Sequence, residues 1–208
     1  TTRLVGSEMC IRDRLLALWL ERCNRIIENQ KVEEYNKENI NILVKFIKSE
    51  ASTNSFNEEK LIKEFNKNGI FLAIEDDLKG TKVRGAFKVL NDKPAIFLTK
   101  KHKRYADIYF ALLHELAHCK SDFNRAKSGS IIALNDETET EDYEIKADKQ
   151  ALNWMIDDKL YDNIKINCNN IENYNIVKSF FVYRLAKDKI INYSNELYQK
   201  YNPLIDKE

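Results

Sequence analysis

The sequence predicts an α+β fold in which a small antiparallel sheet packs on a helical bundle. Three observations carry that expectation. The hydrophobic periodicities run helix, helix, helix, then three strands, then helices, with no alternation of strand and helix. The 208 residues include only 5 Gly and 2 Pro, too few for a turn-rich β-sandwich. A His-Glu-x-x-His pentapeptide sits inside the clearest helix, soon after the strands.

Composition narrows the class. Apolar residues make up 43% of the chain, enough to bury a core and to exclude wholesale disorder. Lys plus Arg number 34 against 33 Asp plus Glu, so the basic excess that phosphate binding favours is absent. The longest apolar run, residues 15–20, is too short to span a bilayer, and no membrane association is expected. Cys10, Cys23, Cys119 and Cys168 are widely spaced and form no CxxC pair. A reduced, cytoplasmic protein is therefore expected.

The elements follow in order. Residues 4–14 resemble the translation of a sequencing-adapter remnant, and five of the nine arginines lie in the first 25 residues. Residues 1–14 are therefore set apart as an artefactual or disordered terminus, with native sequence expected upstream. From Leu15, apolar residues fall at helical spacings through Trp19, Cys23, Ile26 and Ile27. A second helix is predicted over 37–49 and a third over 57–67, with Asn57 as N-cap and Gly69 beyond the C-terminus. Strands are predicted over 70–75, 84–90 and 95–99, the last two forming a hairpin through Asn91, Asp92 and Lys93. Residues 105–119 form the next helix. Residues 120–140 are polar and irregular, the segment expected to be least ordered. Further helices are predicted over 141–157, 177–187 and 194–201.

The chemistry centres on His114, Glu115 and His118. Residues i and i+4 stack on one helix face, so both imidazoles can reach one cation. Zn²⁺ accepts neutral imidazole nitrogen readily. Glu115 projects about 100° round the helix from His114, where a carboxylate can reach a water without occupying the metal. A catalytic zinc needs a third protein ligand and an open position. His102 is one candidate, although its Lys and Arg neighbours oppose a cation. Glu137, Glu139, Glu141 and Glu144 are others, and only Glu144 opens a Glu-x-x-Ala-Asp run with helical spacing. Asp148, one turn on, can accept the far N–H of a ligand histidine. Ala147 is small enough to let two helices approach.

With these residues in view, the chain resembles the ImmA/IrrE family of metallopeptidase domains. The version found behind an Xre-type helix-turn-helix in HigA-like regulators is the nearer match. The resemblance rests on HELAH followed by residues 143–148, and on segments 80–86, 92–96, 105–108 and 177–185. It implies a zincin-like fold with His114, His118 and Glu144 as zinc ligands and Glu115 as the catalytic acid/base. It divides the chain into a helical N-terminal region over 15–68, a metallopeptidase core over 69–160 and a helical extension over 161–208. The implied activity is zinc-dependent cleavage of a partner regulatory protein such as a repressor. Ala117 departs from the Gly common in that family, and residues 154–157 replace its usual Ile-Pro. No helix-turn-helix pattern is evident in residues 15–67, so this fragment is not expected to contact nucleic acid. A second expectation is a sensory or antitoxin module of a transcriptional regulator, with a structural or vestigial metal site.

Other features have plainer readings. Residues 100–104 are a basic run that reads as a solvated loop or as a steering patch for an acidic peptide. Cys119 lies one helical step from His118 and reads as a small core residue. Trp19, Phe110, Trp154, Phe180 and Phe181 read as packing. Arg84 and Arg125 are both candidates for substrate contact, and the sequence does not choose between them.

Overall fold

A four-stranded sheet lies between one long helix on one face and the remaining helices on the other. The structure, a computed structural model, describes residues 2–129, 131–134 and 142–205. Helix α1 spans Thr2–Ile27, so it begins before the expected start at Leu15. Trp19, Cys23 and Ile27 are spaced four apart and buried together against the sheet. The sheet face they meet carries Ala73, Ala86 and Ala95, whose small side chains leave room for the Trp19 indole edge-on to Phe97.

Helices α2 (Ile40–Ser52) and α3 (Glu58–Lys67) follow. Asn57 accepts a hydrogen bond from the Lys60 N–H, the N-cap read from the sequence. Gly69 adopts φ +84° just past α3, and a Cβ there would stand 2.3 Å from the Tyr35 backbone. Strands β1 (Phe71–Glu75), β2 (Val83–Leu90), β3 (Lys93–Thr99) and β4 (Ile131–Leu134) assemble in the order β1-β3-β2-β4. The sheet is mixed, which corrects the expected antiparallel one. The β2–β3 pair is antiparallel, and Asn91 and Asp92 both take positive φ in the two-residue turn. The segment after β1 crosses to the far side of β3, so β1 pairs with β3 in parallel. β3 takes the centre because its burial is almost continuous. Pro94 pairs only with Val89, ahead of the first β1 partner, so its missing N–H disrupts no central rung.

Of the stretch expected to be irregular after residue 120, residues 130 and 135–140 lie outside the described residues. Helix α5 spans Phe123–Ala126, and β4 pairs antiparallel with β2 through its short apolar run. Helix α4 (Tyr105–Ser121) packs on the second sheet face, α6 (Asp142–Met155) and α8 (Lys178–Lys187) pack against α4, α9 (Glu196–Tyr201) packs on α8, and α7 (Asp158–Ile164) lies between α6 and α8 in the chain. One apolar cluster runs from Ile40 through the sheet and α4 to Tyr198, crossing each boundary expected between regions. Among the described residues no helix is long and apolar enough to cross a membrane.

Candidate metal centre

Helix α4 is buried on nearly every side, with 14 of its 17 residues inaccessible. Leu112, Leu113 and Leu116 fill the core between the sheet and the neighbouring helices. Its start is held from a distance: the Asn202 side chain accepts the Ala106 N–H, and its amide donates to Asp107. A helix so enclosed carries polar residues only where partners meet them. His114, Glu115 and His118 are 6%, 1% and 0% exposed, and their partners come mainly from α6 and from the end of α4 itself.

Helix α6 lies against α4 through its buried Ala147 and Ala151. That close packing delivers Glu144 to the histidine pair. His114 Nε2 is 3.1 Å from His118 Nε2 and 3.1 Å from Glu144 Oε2. His118 Nε2 is 3.4 Å from Glu144 Oε1. Four-coordinate zinc, with bonds of about 2.0–2.2 Å, places its ligand atoms roughly 3–4 Å apart. These three residues form a group able to hold a metal ion.

Both rings are anchored on the side away from that convergence. His114 Nδ1 is 2.7 Å from Asp148 Oδ1, and His118 Nδ1 is 2.9 Å from Asp122 Oδ2. Each Nδ1–H donates to a carboxylate, which turns both Nε2 atoms inward and makes them better electron donors. The donor set, two oriented imidazoles and one carboxylate, therefore fits a metal ion. Glu144 Oε1 is buried with no hydrogen-bond partner among the described residues, an acceptor that a cation would satisfy. Asp122 was missed from the sequence because it lies just beyond the helix end. The signal was there, since Asp122 continues the four-residue spacing of His114 and His118.

Glu115 stands beside this triangle without joining it. Its carboxylate reaches the sheet at Gly85, where a Cβ would lie 2.4 Å from Oε1. A Cβ at this position would therefore push the Glu115 side chain away from the strand. Glu115 Oε2 is buried with no hydrogen-bond partner among the described residues.

The charges are set by burial against pairing. Burial opposes a charge on His114, but Asp148 and Glu144 outweigh it and raise the ring to about 9. His118 is likewise raised, burial being outweighed by Glu144 and by the carboxylates of Glu115 and Asp122. Burial would raise Glu144 too, yet the two histidines hold it at about 2. For Glu115 burial wins over the pull of His114 and His118, and its carboxyl sits at about 7. A carboxyl there can take and return a proton near neutrality.

The remaining candidates lie elsewhere. His102 does not reach the triangle; burial, with the charges of Arg84 and Lys101, lowers its ring to about 4. Glu137, Glu139 and Glu141 fall outside the described residues. Cys119 is fully buried, its thiol pushed up to about 12 by desolvation, and its sulfur lies 3.5 Å from the Tyr35 hydroxyl. Arg125 stacks on the Tyr143 ring at 3.8 Å, and that ring packs edge-on to His118. In the basic run before α4, Lys100 pairs with Glu58, and Arg104 binds Asn202 and Gln199. A scan against known protein families and a search of curated proteins each return no match.

Proposed function

We propose that the chain is a zinc-dependent metallopeptidase domain of the ImmA/IrrE type, with a zincin-like core, acting in the cytoplasm on a partner regulatory protein such as a repressor. One observation carries the reading. Two anchored imidazoles and the Glu144 carboxylate converge at 3.1–3.4 Å while a second, buried carboxylate stands free of the triangle. A closed structural zinc site takes four protein ligands and a catalytic one takes three, the number in the group found among the described residues. That favours the peptidase over a sensory or antitoxin module with a structural site.

His114 and His118 would hold zinc through Nε2, with Asp148 and Asp122 fixing the rings, and Glu144 would add an oxygen. Bound zinc supplies Lewis acidity, polarising a water and the scissile carbonyl. Glu115 accepts the proton of the attacking water at its carboxylate. It then delivers that proton to the amide nitrogen as the C–N bond breaks, leaving one new carboxyl and one new amine.

The test is mass spectrometry of candidate repressor proteins after incubation with zinc-loaded protein. One defined cut, absent with Glu115→Gln and absent after chelation, supports the reading. Intact substrates throughout, from protein shown to carry zinc, would count against it.

A further inference from the structure

We propose that Tyr35, remote from the metal centre in sequence, is a positioning residue for it, holding Asp122 so that His118 presents Nε2 to the ion. The inference rests on the metallopeptidase reading for the presence of that ion. Asp122 is not carried inside a helix. It lies at the junction of α4 and α5, where its N–H donates to the His118 carbonyl at 2.7 Å and its own carbonyl accepts the Ala126 N–H at 2.9 Å. The direction of its carboxylate therefore follows the angle at which α5 leaves α4. Helix α5 has only four residues, and a single turn does not hold itself in water. Contacts outside α5 must fix it. Ala126 is buried, and Phe123 stacks on Tyr35 with ring centroids 5.3 Å apart and 16° between the planes. On the other side of Asp122, the Tyr35 hydroxyl donates to the Cys119 carbonyl at 3.3 Å. That carbonyl belongs to the last turn of α4, where the helix supplies no partner. One side chain thus grips the residues on both sides of the His118 anchor.

Tyr35 is itself firmly placed. Residues 30–36 belong to no helix or strand, and such connections commonly run free over a surface. This one is tied down along its length. The Gln30 amide donates to the Leu72 carbonyl at 2.7 Å and accepts the Leu72 N–H at 3.2 Å, which joins it to β1. Lys93 Nζ donates to the Val32 carbonyl at 2.9 Å, and the Glu33 N–H donates to the Asn66 carbonyl at 3.0 Å. Gly69 packs on the Tyr35 backbone with no room for a Cβ. The segment is therefore held by the sheet, by α3 and by the turn between them, and the one aromatic ring it carries is delivered to the end of α4. His114 is anchored in another way, by Asp148 from within α6. Tyr35 thus bears on one imidazole of the pair and leaves the other alone.

The test is a double-mutant cycle on zinc affinity, read by chelator competition with the full chain. Tyr35→Ala removes both the stack and the hydroxyl, and zinc should bind about tenfold more weakly, the lower end of what losing the outer partner of a ligand costs. In an Asp122→Asn background the same change should cost less than about twofold, because the anchor it serves is already lost. In an Asp148→Asn background it should again cost about tenfold, since effects at independent sites add. Tyr35→Phe keeps the stack and loses one hydroxyl hydrogen bond, so affinity should stay within about threefold of wild type. Tyr35→Leu fills the space without stacking and should fall between Tyr35→Phe and Tyr35→Ala; it carries the cycle where Tyr35→Ala does not fold. A role confined to general stability would lower the Tm of the zinc-free protein and weaken zinc equally in all three backgrounds. That equality, or wild-type affinity in both Tyr35→Ala and Tyr35→Leu, overturns the proposal. Wild-type protein that binds no zinc removes the metal reading, and this inference with it.

Discussion

Replacing Gly85 with Ala adds one methyl group at the point where the sheet touches Glu115. The new Cβ would stand 2.4 Å from Glu115 Oε1, 2.9 Å from Cδ and 3.0 Å from Cγ. Non-bonded carbon atoms settle at about 3.5–4.0 Å, so the carboxylate must retreat by roughly 1 Å. Glu115 is only 1% exposed, and it cannot swing into water to make room. A displacement of about 1 Å at a reacting group costs on the order of 10²-fold in rate, or about 2.7 kcal/mol of barrier. Stability changes less. Overpacking costs about 1–3 kcal/mol, partly offset by about 0.4–1 kcal/mol from reduced freedom of the unfolded chain. For a chain of this size each kcal/mol moves Tm by about 2–4 °C, so the variant should stay folded. None of the proposed metal ligands is touched. Measured together, kcat should fall about 100-fold, zinc content should stay at one per chain, and Tm should drop by less than about 10 °C. A variant with normal zinc content and a rate within about twofold of wild type would refute the argument that Gly85 positions Glu115.

Three further outcomes are expected. Glu115→Gln should keep its zinc yet lose about 10²–10⁴-fold in hydrolysis, because the amide keeps the shape but cannot take the proton; equal rates would assign that proton elsewhere. Asp148→Asn and Asp122→Asn should each weaken zinc by about 10–100-fold in a chelator competition, and unchanged affinity in either removes that carboxylate as an anchor. The third concerns pH. In the zinc-free protein His114 is raised from an ordinary 6.5 to about 9. Its protonation therefore stabilises the fold fully below about pH 6.5, and that contribution is lost as pH rises through about 9. Zinc requires the neutral ring, so the Tm gap between zinc-loaded and zinc-free protein should widen from about pH 6 to about pH 9. A constant gap would mean that His114 does not lie on the metal.

Much of the site was legible because helical spacing is a local property. His114, His118 and Glu144 each sit on a helix whose apolar stripe could be read directly, and the i, i+4 rule placed the two imidazoles together. Asp148 followed from the same rule on α6. What escaped depends on contacts distant in sequence. The parallel pairing of β1 with β3 depends on which strand is most deeply buried, and no turn signal records it. β4 has only four residues in a polar stretch and is defined by the β2 edge it completes. The bulge at Arg84 exists only against that partner. Gly85 looked like an ordinary strand glycine until the helix packed on it. The partners of the basic run at residues 100–104 are also distant in sequence. Lys100 pairs with Glu58 on α3, and Arg104 donates to Asn202 and Gln199 in the C-terminal segment.

The central claim is that His114, His118 and Glu144 hold one zinc ion. Zinc K-edge X-ray absorption on protein loaded with one equivalent tests it most directly. Two imidazole nitrogens at about 2.0–2.1 Å should accompany oxygen donors at about 2.0–2.2 Å, and His118→Ala should remove one imidazole. A spectrum without imidazole, or one with a sulfur donor at about 2.3 Å, would contradict the account.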